Sequence, residues 1–235
     1  MVSPTPSPEC FFEPVSCTHT YLLPDDSTGE AVIIDPVEEA AQEYIDHLRR
    51  RGLRLTYILE THVHADHVTA AAKLKEATGA QTVAPAGCNV TGADVAVLDG
   101  EILRFGNAQV KVIHTPGHPP GSVSYSWSDC IFTGDSLLIG GCGRTDFQGG
   151  DAGMLYDAIT TRLFSLPDAT RVFPAHDYHG RLQSTIGDEK KTNPRLAGKS
   201  RDEFIAVMQN LNLAPPKMLD IAVAANKRSG VRQAA

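Results

Sequence analysis

The 235-residue sequence contains no run of about 20 apolar residues, which excludes an α-helical membrane span. It also lacks an excess of positive charge: 21 Lys and Arg stand against 28 Asp and Glu, a formal net charge of −7. Nucleic-acid binders concentrate positive charge, so no nucleic-acid partner is expected, and any anionic ligand must be met by locally placed arginines or lysines. There is no Cys-x-x-Cys pair. The five cysteines (Cys10, Cys17, Cys88, Cys130 and Cys142) are odd in number and scattered, which argues against a disulfide framework or a zinc knuckle. Free thiols suit a reducing compartment. The Ser/Pro-rich start, Met1 to Pro8, carries no apolar run and no Arg-rich amphipathic stretch. No signal or transit peptide is readable there, so the expected location is the cytoplasm.

What is present is an ordinary globular composition, 42% hydrophobic and 21% charged, in a chain long enough to build its core without a staple. Short apolar runs at 21–23, 31–35, 55–60, 81–84, 102–105, 110–114, 122–127, 131–133 and 171–174 read as strands. Helical periodicity over 40–51 and 68–78 stops at Gly52 and Gly79, and 152–164 and 201–210 also read as helices. Short strands with intercalated helices predict an α/β arrangement in which helices cover sheets. Repeats and linkers are missing, so residues 1–235 read as one domain, with a core over 11–180 and a helical, loop-rich appendage over 181–235.

The polar clusters fall just past the C-terminal ends of strand candidates, where a rigid scaffold presents functional loops. The densest is His62-x-His64-x-Asp66-His67, four nitrogen or oxygen donors in six residues. Packing imidazoles and a carboxylate together is costly without a cation or a dense hydrogen-bond network, so this segment reads as a metal site. Three further pieces sit in the same setting: Thr115-Pro116-Gly117-His118, Phe132-Thr133-Gly134-Asp135 and Pro174-Ala175-His176. His19, His47 and His179 lack ligand-rich neighbours, and His114 reads as structural.

The order H-x-H-x-D-H, G-H, G-D, A-H resembles the metallo-β-lactamase superfamily. That resemblance implies an αββα sandwich with a metal site at one edge, between the sheets. It implies that His62, His64 and His118 match a first metal position and that Asp66, His67 and His176 match a second, with Asp135 able to bridge.

Two reactions fit those residues. With two metals the site would activate hydroxide and polarise a thioester carbonyl, as in a hydroxyacylglutathione hydrolase. With one metal on His62, His118 and Asp135, two imidazoles and a carboxylate leave three positions open, an arrangement suited to a non-haem Fe(II) that activates O2. His64, Asp66, His67 and His176 then orient the ligands and tune the metal.

Motifs outside the ligand set separate the two. Residues 140–148 (GGCGRTDFQ), 176–180 (HDYHG), 193–196 (NPRL), 210–213 (NLNL) and the tail at 220–226 (DIAVAAN) resemble the persulfide dioxygenases. These enzymes oxidise glutathione persulfide with O2 to sulfite and glutathione. The resemblance implies one Fe(II) per chain on His62, His118 and Asp135, and a small-molecule substrate. Because glutathione carries two carboxylates, Arg144 and Arg195 are the candidate substrate cations, with Tyr178 a candidate donor to the peptide. Cys142 reads as a loop-packing residue. A homodimer, and functional coupling to a rhodanese or a sulfide:quinone oxidoreductase, are carried as expectations. One departure stands out: relatives commonly have Thr after the histidine matching His118, whereas this chain has Pro119-Pro120, which puts a hydroxyl contact near the metal or substrate in doubt.

Overall fold

The computed structural model describes residues 7–211, 213–214 and 218–232; Asn212 of the 210–213 motif and residues 1–6 of the Ser/Pro-rich start lie outside them. Among the described residues twelve strands form two six-stranded sheets. The first runs β1(Glu9–Glu13), β2(Thr18–Asp25), β3(Glu30–Ile34), β4(Arg54–Leu59), β5(Gln81–Pro85) and β6(Val95–Val97) in sequence order. In the second, β7(Ile102–Phe105), β8(Ala108–His114), β9(Val123–Trp127), β10(Cys130–Gly134), β11(Arg171–Pro174) and β12(Ser184–Thr185) are also neighbours in order.

Hydrophobic pattern explains the layering. β3 is apolar on both faces and buried on both, as expected of a strand covered by a sheet on one side and helices on the other. β7 alternates exposed Ile102 and Arg104 with buried Leu103 and Phe105, so only one of its faces meets the core. Tyr21, Val32, Ile34, Leu59, Val112, Tyr125 and Phe132 interdigitate between the sheets. α1(Ala41–Arg51) and α2(Ala71–Thr78) cover the outside of the first sheet through Tyr44, Leu48 and Leu74. α3(Ala152–Ala158) and α5(Arg201–Gln209) cover the second through Leu155, Phe204 and Met208, with α4(Ile186–Thr192) contributing Ile186. The expected αββα sandwich is present. A last helix, α6(Leu219–Asn226), packs Ala222 and Ala225 on Val68.

Two helices depart from the sequence expectation. α2 starts at Ala71 rather than at 68, because residues 68–70 are tied elsewhere: the Ala70 N–H donates to the Pro36 carbonyl (2.8 Å) and the Val68 carbonyl accepts from Glu38. The helix expected over 152–164 is α-helical only to Ala158 and continues as a π turn over Ile159–Leu163. There the Thr160 and Thr161 hydroxyls donate back to the Tyr156 and Asp157 carbonyls, competing with the regular ladder.

The sheets come together at the ends of β4, β8, β10 and β11. Tyr21 Oη donates to the Pro174 carbonyl (2.6 Å), Tyr125 Oη to that of Glu60 (2.9 Å), and the Val123 N–H to that of Thr61 (3.0 Å). β10 and β11 are parallel, with Gly134 opposite Pro174, so the chain leaves both at the same edge and delivers Asp135 and His176 side by side.

Candidate metal centre

Each candidate ligand follows a strand end, and a neighbouring acceptor sets its orientation. Thr61 donates to Asp35 through both its N–H (2.7 Å) and its hydroxyl (2.8 Å), so the hydroxyl oxygen is left to accept from His62 Nδ1 at 2.9 Å. His118 Nδ1 donates to the Arg144 carbonyl at 2.6 Å, and His176 Nδ1 to the Cys17 carbonyl at 3.1 Å. Carbonyls only accept, so these contacts place the proton on Nδ1 and leave each Nε2 as the donor atom for a metal. Burial, then His64 and His118 nearby, hold His62 well below the ordinary histidine pKa and keep it neutral, the form that ligates.

His62, His118 and Asp135 present ligand atoms that all lie within 4.8 Å of one another. His118 Nε2 is 3.3 Å from Asp135 Oδ2, while the buried Asp135 Oδ1 has no hydrogen-bond partner. Two imidazole nitrogens and a carboxylate converging on one point, with a buried carboxylate oxygen unpaired, fit a divalent first-row metal.

The other histidines of the motif are differently engaged. His64 is fully buried, its Nε2 3.1 Å from Asp35 and 3.5 Å from Glu60. Burial alone would depress its pKa, but Asp35 and Glu60 outweigh that and push it up to about 10. Asp66 Oδ2 accepts from His67 Nδ1 (2.9 Å) and from Thr18 Oγ1 (3.3 Å). His176 Nε2 lies 3.5 Å from Asp66 and 3.6 Å from Asp135. The ligand atoms of His64, Asp66 and His67 also fall within 4.8 Å of one another, so that trio offers a second cluster beside the first.

A cleft of about 420 Å³ opens onto this site, bounded by Asp66, His118, Asp135 and His176 on one side. Cys142, Arg144, Tyr178, Arg195 and Leu213 bound the other. The three expected substrate residues therefore share one cavity, in unequal states. Arg144 forks onto Asp146 (2.7 Å twice) and also donates to the Leu213 and Ala214 carbonyls, so its guanidinium is already committed. Arg195 Nη1 donates to the Cys142 carbonyl (2.5 Å), and its Nε and Nη2 have no acceptor among the described residues. Tyr178 stacks on His176 (8° between ring planes) with most of its surface exposed. The Cys142 thiol is buried beside Met208, and burial raises its pKa to about 11, so it stays protonated.

Several residues of the centre escape a sequence reading. Asp35 and Glu60 end strands next to the metal loop and hold Thr61 and His64; the only sequence signal was polar letters closing apolar runs. Glu189 is buried on α4 and accepts from Gly140 N–H (2.9 Å) and Asn193 Nδ2 (2.8 Å), and Asn193 in turn accepts from the Arg195 N–H. No local pattern distinguishes it from a surface helix glutamate. Pro119 and Pro120 form the turn after His118, where the Pro119 carbonyl accepts from Ser122 and that of Pro120 contacts His114 Nε2.

Residues 18–87 and 88–176 match the family model of the metallo-β-lactamase superfamily. The chain is 46% identical over 226 residues to the mitochondrial persulfide dioxygenase ETHE1 of Homo sapiens, covering 94% of this chain and 87% of that protein. The crystal structure of ETHE1 from Myxococcus xanthus superposes with a TM-score of 0.92 at 47% identity, over 96% of this chain and all of that one. A hydroxyacylglutathione hydrolase of Methylococcus capsulatus is 39% identical, but over 68% of this chain and 62% of its own length.

Proposed function

The chain belongs to the metallo-β-lactamase superfamily and, within it, to the persulfide dioxygenases, and we propose that it oxidises glutathione persulfide with O2 and water to sulfite and glutathione. The proposed cofactor is a single Fe(II) held by His62, His118 and Asp135. The carrying observation is the division of labour among the histidines: His62 and His118 are turned so that Nε2 faces Asp135, whereas His64 is drawn away onto Asp35 and Glu60. Bound there, iron supplies the oxygen chemistry that no side chain of this protein can perform.

The chain's own residues do the rest. Arg195, with Nε and Nη2 available, meets a glutathione carboxylate through a forked pair of hydrogen bonds. Tyr178, stacked on His176, lines the cleft and offers its hydroxyl to the peptide. Arg144 keeps the cleft in shape by joining the 142–146 loop to the 213–214 carbonyls, a structural contribution to substrate binding. His176 holds Asp66 and Asp135 in place from the side. Cys142 stays a packed thiol and takes no part in sulfur transfer. An upstream rhodanese or sulfide:quinone oxidoreductase would supply the persulfide.

A dinuclear hydrolase is the competing reading, favoured by the His64, Asp66 and His67 cluster. An oxygen electrode separates the two. The protein purified without oxygen should consume O2 and release sulfite when given glutathione persulfide, and should leave glutathione thioesters intact. Thioester hydrolysis without O2 uptake would overturn the proposal.

A further inference from the structure

We infer that Asn226, on the C-terminal helix, positions the metal loop and thereby sets how tightly the centre holds its metal. This rests on the reading of His62 as a ligand. The loop after β4 runs from His62 to Thr69, and its backbone polar groups are buried where water cannot serve them, so each needs a partner. Asn226, which is 5% exposed, supplies three: its Oδ1 accepts from the Thr69 N–H (3.0 Å), and its Nδ2 donates to the His64 (3.0 Å) and His67 (2.9 Å) carbonyls. Two partners can only accept and the third can only donate, so the orientation of the amide is fixed by chemistry. One side chain, more than 150 residues away in sequence, thus closes three of the loop's open positions.

The helix that carries Asn226 is fixed by other contacts. Ala222 and Ala225 pack on Val68, and the Lys227 carbonyl accepts from the Thr91 N–H (2.9 Å). Gly230, at φ +85°, passes so close to Thr69 that a Cβ would lie 2.5 Å from its carbonyl oxygen. A Cβ on Gly92 would likewise lie 2.7 Å from the Arg228 carbonyl. Removing the amide therefore leaves α6 docked through Val68, Thr69 and Thr91 but frees the His64 and His67 carbonyls of the loop. Its function is to hold the backbone within the small tolerance that ligand geometry demands.

The test uses the full chain purified without oxygen, titrated with Fe(II) against a competing chelator and melted with and without the metal. Asn226→Ala should weaken Fe(II) binding roughly 10- to 100-fold and shrink the metal-induced rise in Tm. The metal-free chain should melt lower in any case, because three buried groups lose partners. A merely structural role would lower both melting temperatures alike and leave the affinity unchanged, which overturns the inference. Should Asn226→Ala fail to fold, Asn226→Asp keeps the volume and the acceptor for Thr69 but removes both donors. Weakened binding in that variant supports the inference; parental affinity overturns it. A parent chain that binds no Fe(II) would instead overturn the metal reading itself.

Discussion

Gly143 has no room for a side chain: a Cβ would lie 2.6 Å from the Asp135 carbonyl oxygen and 2.7 Å from His118 Nδ1. Its lack of a side chain is what lets the 142–146 loop close over the metal ligands. Gly143→Ala should displace the His118 ring and weaken metal binding about 10- to 100-fold, read by chelator competition. His64 makes the opposite prediction, because its Nε2 faces Asp35 and Glu60 rather than the centre. His64→Ala should retain most of the bound iron after gel filtration, whereas His118→Ala should lose it; equal loss in both would contradict the assignment. At this scale the candidate ligands were legible, because histidines and aspartates stand in recognisable spacing after strand ends. Their supports were not. Asp35 and Glu189 are single polar letters, and Asn226 was read only as the end of the 220–226 motif; the fold alone brings Asp35 and Asn226 to the metal loop and Glu189 to Gly140.

Elements explain how the two sheets stay in register at the site. At the opposite edge, Asp25 ends β2 and accepts from Ser27, Thr28 and the Asn107 N–H of the β7–β8 turn, so it fastens one sheet to the other. The Ser27 hydroxyl first, then the Asn107 N–H, lower its pKa from the ordinary 3.8 to about 2. A depressed carboxyl stabilises the fold above the unfolded pKa and ceases to do so as pH falls through the folded one. Asp25→Asn should therefore melt below the parent at about pH 6, and the gap should narrow between about pH 4 and 2. A gap constant across that window would count against this role. Strands with continuous apolar runs were readable, as were helices that stop at glycine. β1, β6, β12 and α4 were not, being short, polar or only partly buried. The start of α2 was missed because residues 68–70 answer to Pro36, Glu38 and Asn226 instead of to helix propensity.

In the whole molecule, four strand ends from two sheets meet around one cavity, and α6 holds the loop that follows β4. Strand pairing is non-local, so composition and periodicity gave no more than an α/β class; the αββα order entered through motif resemblance and is what the structure has. Residues 184–211 add a strand to the second sheet and two helices to its cover, while Leu213 and Ala214 reach back to the cleft wall. Among the described residues no helix is long and apolar enough to cross a membrane. On the proposed function, one iron on His62, His118 and Asp135 is the whole catalytic metal complement. Adding Fe(II) stepwise to the metal-free chain without oxygen, and assaying persulfide-dependent O2 uptake at each step, tests it most directly. Activity should rise linearly and stop at one iron per chain; activity that appears only as a second equivalent binds would show instead that two metals are required.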